Sequence, residues 1–247
     1  MASLKPAQPP IVVGATKPTA AVIWLHGLGD TGHGWADVGP QLASVVPHAR
    51  FIFPTAPTRP VTLNGGMAMT AWFDLTSLSD VSVPDLAALL RVLTQARSVL
   101  PLQINQEEDG AGIEASVAYV EKLVEAEVAA GVDRSRVVVA GFSQGGAIAL
   151  TAGLRAPSPF AGVVALSTWL PLAKSYPAAL GAGGVATPVI MCHGTQDMVV
   201  RTEYGTRSAE ALKALGVTAD WHTFRMAHSA VPEELSLVAD WLKKRLA

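Results

Sequence analysis

The chain has 247 residues, half of them apolar and 15% charged, a balance that excludes disorder over most of its length and allows one large α/β domain. Its 18 Lys and Arg against 20 Asp and Glu leave a net charge of -2, so there is no broad cationic surface and nucleic acid is not expected as a partner. One cysteine, Cys192, allows neither an internal disulfide nor a structural zinc site and fits a reducing compartment.

Residues 1–19 read as an N-terminal tail, its first ten positions holding Pro6, Pro9 and Pro10 and lacking the apolar run of a secretory signal. Ala2 and the C-terminal Arg245-Leu246-Ala247 fit no lipidation motif. No stretch approaches the roughly 20 apolar residues of a membrane span. Residues 20–247 then read as a single domain without repeats or a low-complexity linker. Short β-branched runs predict buried parallel strands at Ala20–Leu25, Arg50–Phe53, Arg136–Ala140, Gly162–Leu166 and Pro188–Cys192. A more mixed sixth, Ala219–Phe224, is expected nearer the sheet edge. Amphipathic helices are predicted over Ile113–Ala130, stopped by Gly131, and over Gly145–Arg155, Thr202–Leu215 and Pro232–Leu246. Strands alternating with helices imply a mostly parallel central sheet covered on both faces.

The segment Ser79–Gln106 stands apart. Ser82-Val83-Pro84-Asp85 looks like a helix start, and Leu86, Leu89, Leu90, Leu93 and Leu100 fall near one helical face. It reads first as a helix packed on the body, with a lid-like insert over a site or a membrane-surface element as the alternatives.

Gly141-Phe142-Ser143-Gln144-Gly145 matches G-x-S-x-G. The pattern is weak alone, but it follows the buried run Val137–Ala140 and precedes a helix with small residues in its first turn. That strand, sharp turn and helix form the nucleophile elbow, which exposes the serine Oγ on a strained backbone. A serine needs a base and a carboxylate, which follow it in the order acid, then histidine. Of His193, His222 and His228, the last lies in the turn Met226–Ser229 after a strand and can reach back over the sheet rim; His222 lies within a strand. Asp197 stands just beyond the strand Pro188–Cys192 on the same rim as Ser143, whereas Asp220, Asp240 and Glu203 are explained by solvation or a helix dipole. Backbone N–H groups of Gln144 and of Leu28, in the glycine-rich loop His26–Asp30, are the candidate oxyanion donors. His26 and Asp30 are read as shaping that loop, and Cys192 as a small buried hydrophobe.

His26–Trp35, Pro60–Asn64, Ala71–Asp74, Gly141–Gly146 and Trp169–Leu172, in this order, resemble the acyl-protein thioesterase and lysophospholipase-like carboxylesterase family of α/β-hydrolases. The resemblance runs from about Ala20 to the C-terminus. It implies the α/β-hydrolase fold, serine esterase or thioesterase activity, a cytosolic location and an apolar channel for a fatty acyl chain. It also places the triad on Ser143, Asp197 and His228 and the oxyanion donors on Leu28 and Gln144, in agreement with the residue-level reading. Trp169 and Leu86, Leu89, Leu90 and Leu93 are the candidate substrate-binding residues. Two departures are visible: residues 79–106 are longer than the family's connection, and Met198 stands where the family usually has proline.

The expected function is therefore hydrolysis of carboxylic esters or thioesters through an acyl-enzyme, with no metal or organic cofactor. Depalmitoylation of acylated proteins is the first reading, with small acyl esters or thioesters as further substrates and transient contact with a membrane surface. The alternatives are a short-acyl esterase or deacetylase whose insert closes the channel, and a catalytically idle hydrolase-fold receptor.

Overall fold

The computed structural model describes residues 4–6, 8–76 and 108–247. Among these the strands are β1 (Ile11–Gly14), β2 (Ala20–Leu25), β3 (Ala49–Phe53), β4 (Thr58–Val61), β5 (Met67–Thr70), β6 (Val137–Phe142), β7 (Gly162–Leu166), β8 (Val189–Gly194) and β9 (Ala219–Phe224). The helices are α1 (Gly32–Ala36), α2 (Gly39–Val45), α3 (Gly110–Ala129), α4 (Gln144–Arg155), α5 (Thr202–Ala214) and α6 (Pro232–Arg245).

Strand β2 shows why the layers form. All six of its side chains are buried. Ala21, Ile23 and Leu25 join one apolar cluster and Ala20, Val22 and Trp24 the other. A strand apolar on both faces requires cover on both. Helices α3, α4 and α5 supply Val120, Ile148 and Leu212 to the first cluster. The second takes Trp35, Leu42 and Val238 from α1, α2 and α6. The sheet order is β1-β3-β2-β6-β7-β8-β9, with every neighbouring pair parallel except β1 and β3. The chain steps outward from β2 to β3 and then builds β6 through β9 on the other side of β2. The switch point therefore lies between β2 and β6, where a ligand crevice is expected beyond the carboxyl ends of the strands.

Helix ends follow local chemistry. Asp109 caps α3 by accepting the Gly112 N–H at 2.8 Å, so the helix starts earlier than Ile113, behind two glycines that hide its onset. Gly131, at φ 100°, ends it: Val132 N–H bonds to Glu127 O and Gly131 N–H to Val128 O, a Schellman motif. Gly216 closes α5 in the same way.

An edge strand and a hairpin lie outside the expected set of strands. Residues 11–14, assigned to the N-terminal tail, form an edge strand that pairs antiparallel with β3, from Ile11 opposite Phe53 to Gly14 opposite Arg50. Its half-buried alternation over four residues is a faint signal beside three prolines. Strands β4 and β5 form a separate hairpin, which Pro60 and the glycine pair Gly65-Gly66 conceal in the sequence. The candidate substrate-binding leucines Leu86, Leu89, Leu90 and Leu93, with the rest of the 79–106 insert, lie outside the described residues. Among the described residues no helix is long and apolar enough to cross a membrane.

Glu234, in the first turn of α6, is fully buried. Burial pushes its carboxyl up to about 8, against a smaller opposing pull from the Val231 backbone. The folded chain thus holds a proton that the unfolded chain releases above its ordinary carboxylate range. This contribution is complete at low pH and is lost as pH rises toward 8, at up to about 1.4 kcal/mol per pH unit. Glu234→Gln should flatten the fall of Tm between pH 5 and 8 and leave the variant more stable than the wild type at the upper end. Equal slopes for the two proteins in a thermal melt series would contradict this.

Candidate active site

Strand β6 delivers Ser143 into a turn that only small neighbours permit. Ser143 has φ 53° and ψ -120° and is the N-cap residue of α4. A Cβ on Gly141 would lie 2.4 Å from the Gly145 carbonyl, and one on Gly145 would lie 2.4 Å from the Leu25 oxygen and 2.5 Å from that of His26. The elbow is fixed on both sides: Ser143 N–H donates to Leu166 O at 2.8 Å, and Ser143 O accepts from Thr168 Oγ1 at 2.6 Å.

Asp197 follows the end of β8. Its Oδ1 accepts the N–H groups of Val199 and Val200, both at 2.9 Å, because the chain turns back over the carboxylate. Its Oδ2 accepts the His228 Nδ1–H at 2.6 Å. Burial pushes the Asp197 carboxyl upward, but the His228 hydrogen bond and charge and the two backbone donors together hold it below the ordinary range. With Nδ1 donating to Asp197, His228 presents an unprotonated Nε2 to Ser143, whose Oγ lies 3.0 Å away. The His228 ring also packs on Phe142, with centroids 4.8 Å apart.

A second imidazole stands beside the acid. His193 is fully buried; its Nε2 donates to Val200 O at 2.8 Å and lies 3.6 Å from Asp197 Oδ2. Burial lowers its proton affinity, outweighing the Val200 carbonyl and the Asp197 carboxylate, so the ring is neutral with its proton on Nε2. Val200 is consequently held at both ends of its backbone.

Leu28 and Gln144 line one cleft of about 460 Å³ together with Ser143 and His228. Its apolar walls include Trp35, Leu63, Leu75, Phe142, Trp169 and Val199. The structure thus brings together Ser143, Asp197, His228, Leu28, Gln144 and Trp169. It separates the rejected carboxylates: Asp220 accepts from Trp241 Nε1 at 3.2 Å, and Glu203 and Asp240 are exposed. His26 shapes its loop, with Nδ1 2.6 Å from Gly27 O and Nε2 accepting the Ala56 N–H at 3.0 Å. Asp30 likewise accepts the Thr31 N–H. Cys192 is buried in the sheet, where burial and the nearby Glu234 push its thiol well up, away from thiolate chemistry. Sequence reasoning missed Leu63 and Leu75 as cleft walls and His193 as a partner of the acid loop. The only signal for His193 was its placement four residues before Asp197.

A buried Asp, a histidine and an elbow serine at the carboxyl rim of a parallel sheet covered on both faces define a serine hydrolase of the α/β-hydrolase fold. Residues 6–96 and 94–246 match the phospholipase/carboxylesterase family, and the chain belongs to it. Acyl-protein thioesterase 1 of Gibberella zeae is 40% identical over 243 residues, covering 96% of this chain and 95% of that protein. Among solved structures, SOBER1 of Arabidopsis thaliana superposes with a TM-score of 0.78 at 30% identity, covering 92% of this chain and 99% of that one. Acyl-protein thioesterase 2 of Zea mays does so with a TM-score of 0.76 at 31% identity, covering 96% and 99%.

The clamp on Val200 yields a prediction. His193→Leu removes the donor to the Val200 carbonyl and should lower kcat/KM for an activated ester by about 10²-fold through misplacement of Asp197. His193→Gln retains an N–H and should lose less than about tenfold. Equal losses in the two variants, measured on folded protein of unchanged circular dichroism, would show that the donor does not matter.

Proposed function

We propose that the protein hydrolyses long-chain acyl thioesters on protein cysteines, and acyl esters of the same chain class, through an acyl-enzyme on Ser143. The observation that carries this reading is the unbroken relay from Asp197 Oδ2 through His228 to Ser143 Oγ, at 2.6 and 3.0 Å, opening into an apolar cleft. His228 Nε2 accepts the Oγ proton as Oγ attacks the acyl carbonyl carbon. The carbonyl electron pair moves to oxygen, where the N–H groups of Leu28 and Gln144 receive it. Collapse of the tetrahedral adduct breaks the bond to sulfur or oxygen, and His228 returns the proton to the departing thiol or alcohol. Water then repeats the sequence on the acyl-serine, releasing the carboxylic acid and restoring Ser143.

The thioester preference is supported by the two thioesterases to which the chain is similar. A cytoplasmic location and transient contact with membrane surfaces are part of the same proposal, since a lipidated substrate resides there. Leu86, Leu89, Leu90 and Leu93 remain proposed as substrate-binding residues.

Rates on an S-palmitoylated peptide and on p-nitrophenyl octanoate test the reading. Ser143→Ala should lower kcat/KM by more than about 10⁴-fold while Tm is retained, and Asp197→Asn by about 10⁴-fold. Asp220→Asn should stay within about threefold of the wild type. Retention of more than about a tenth of the activity by Ser143→Ala would remove Ser143 as nucleophile.

A further inference from the structure

Trp72 is fully buried and touches both loops that carry the oxyanion donors. Its indole Nε1–H donates to the His26 carbonyl at 2.9 Å, two residues before Leu28. Its backbone N–H donates to Oε1 of Gln144 at 2.9 Å, and Nε2 of the same amide donates to the Phe73 carbonyl at 2.8 Å. The side chain of Gln144 is therefore committed at both ends to residues 72 and 73, while its backbone N–H belongs to the elbow. The two loops also meet directly, since a Cβ on Gly145 would lie 2.5 Å from the same His26 oxygen. That oxygen sits between the Trp72 indole N–H and the elbow backbone.

Resting on the serine-hydrolase reading above, we infer that Trp72 and the side-chain amide of Gln144 are positioning residues that hold the Leu28 and Gln144 N–H groups in register for the oxyanion. The geometry explains why side chains outside the relay are so fully engaged. The donors come from the ends of β2 and β6, adjacent strands whose own ladder stops at Leu25 and Gly141. Beyond that ladder, the described cross-links between the loops run through Trp72. The ring packs near two others, with the His26 ring centroid 5.1 Å away and that of Tyr119 at 6.3 Å. Its carbonyl accepts from Ser116 Oγ and Arg59 Nη1, on α3 and β4, which fixes the strut to the body. Preorganised donors act on charge that develops only in the transition state. A loosened strut should therefore reduce transition-state binding and leave ground-state binding alone.

The test compares Trp72→Phe, which keeps a ring but loses the indole N–H, with Gln144→Met, which keeps the backbone donor and loses the amide clamp. Trp241→Phe serves as control, removing an indole hydrogen bond to Asp220 that involves neither of the two loops. Each protein is assayed for kcat and KM and for affinity toward an acyl trifluoromethyl ketone, whose hemiketal with serine places an oxyanion in the hole. Affinity for the matching thioether, which lacks the carbonyl, is measured alongside. Trp72→Phe and Gln144→Met should each lose about 10- to 100-fold in kcat and in ketone affinity, with KM and thioether affinity within about twofold of the wild type. Trp241→Phe should leave the ratio of the two affinities unchanged even if its Tm falls. Parallel loss of ketone and thioether affinity, or no loss in either clamp variant, would overturn the positioning role. A wild-type protein that forms no ketone adduct would instead count against the serine-hydrolase reading itself.

Discussion

The site depends on one strained residue. Ser143 holds φ 53° in a non-glycine backbone, a conformation that costs about 1–3 kcal/mol and persists only where its surroundings over-determine it. Here they do. The parallel ladder carries β6 to the turn, Leu166 and Thr168 of the neighbouring connection bind the Ser143 peptide on both sides, and Ala147 N–H takes the same carbonyl from within α4. Glycines at 141 and 145 remove the Cβ atoms that would collide in so tight a turn. The result aims Oγ out of the sheet rim, and the N–H of Gln144 comes with it at the start of α4.

The other functional groups are brought to this fixed point by strands that end on the same rim. Strand β2 delivers the Leu28 loop, β8 the Asp197 loop and β9 the His228 turn. Two of these loops are stiffened by hydrogen bonds: Trp72 holds the loop that carries Leu28, and His193 and Val200 hold the loop that carries Asp197. The His228 turn is tied to the acid loop itself, because Gln196 N–H donates to Met226 O and Thr195 N–H to Phe224 O. Acid and base therefore share one scaffold, and their 2.6 Å hydrogen bond closes it.

Much of this was legible in the sequence because the chemistry is local. The elbow is five consecutive residues after an apolar run, and Asp197 and His228 each follow a strand, so chain order alone selects them. Strands β2, β3, β6, β7 and β8 were readable because residues buried on both faces are almost continuously apolar, and the partly buried β9 as a more mixed run nearer the edge. The edge strand Ile11–Gly14 is only half-buried on one face and is short, and the hairpin β4–β5 contains Pro60 and a methionine-rich strand without β-branched side chains until Thr70. Neither pattern separates from loop. The Trp72–Gln144 clamp was beyond reach for another reason: it joins residues 72 positions apart through a backbone donor, which no side-chain pattern encodes. His193 precedes the acid in the chain, against the order acid then histidine, and it holds the acid loop through the Val200 carbonyl instead.

The central claim is that Ser143 carries the acyl group during turnover. Acid quench of a reaction with a palmitoyl thioester, followed by peptide mass analysis, tests it directly. A palmitoyl ester on the peptide containing Ser143, lost when the quench is delayed beyond substrate exhaustion, is the expected result. Turnover with no acyl group on that peptide under conditions of a pre-steady-state burst, or with the group on Cys192 or Ser167, would contradict it.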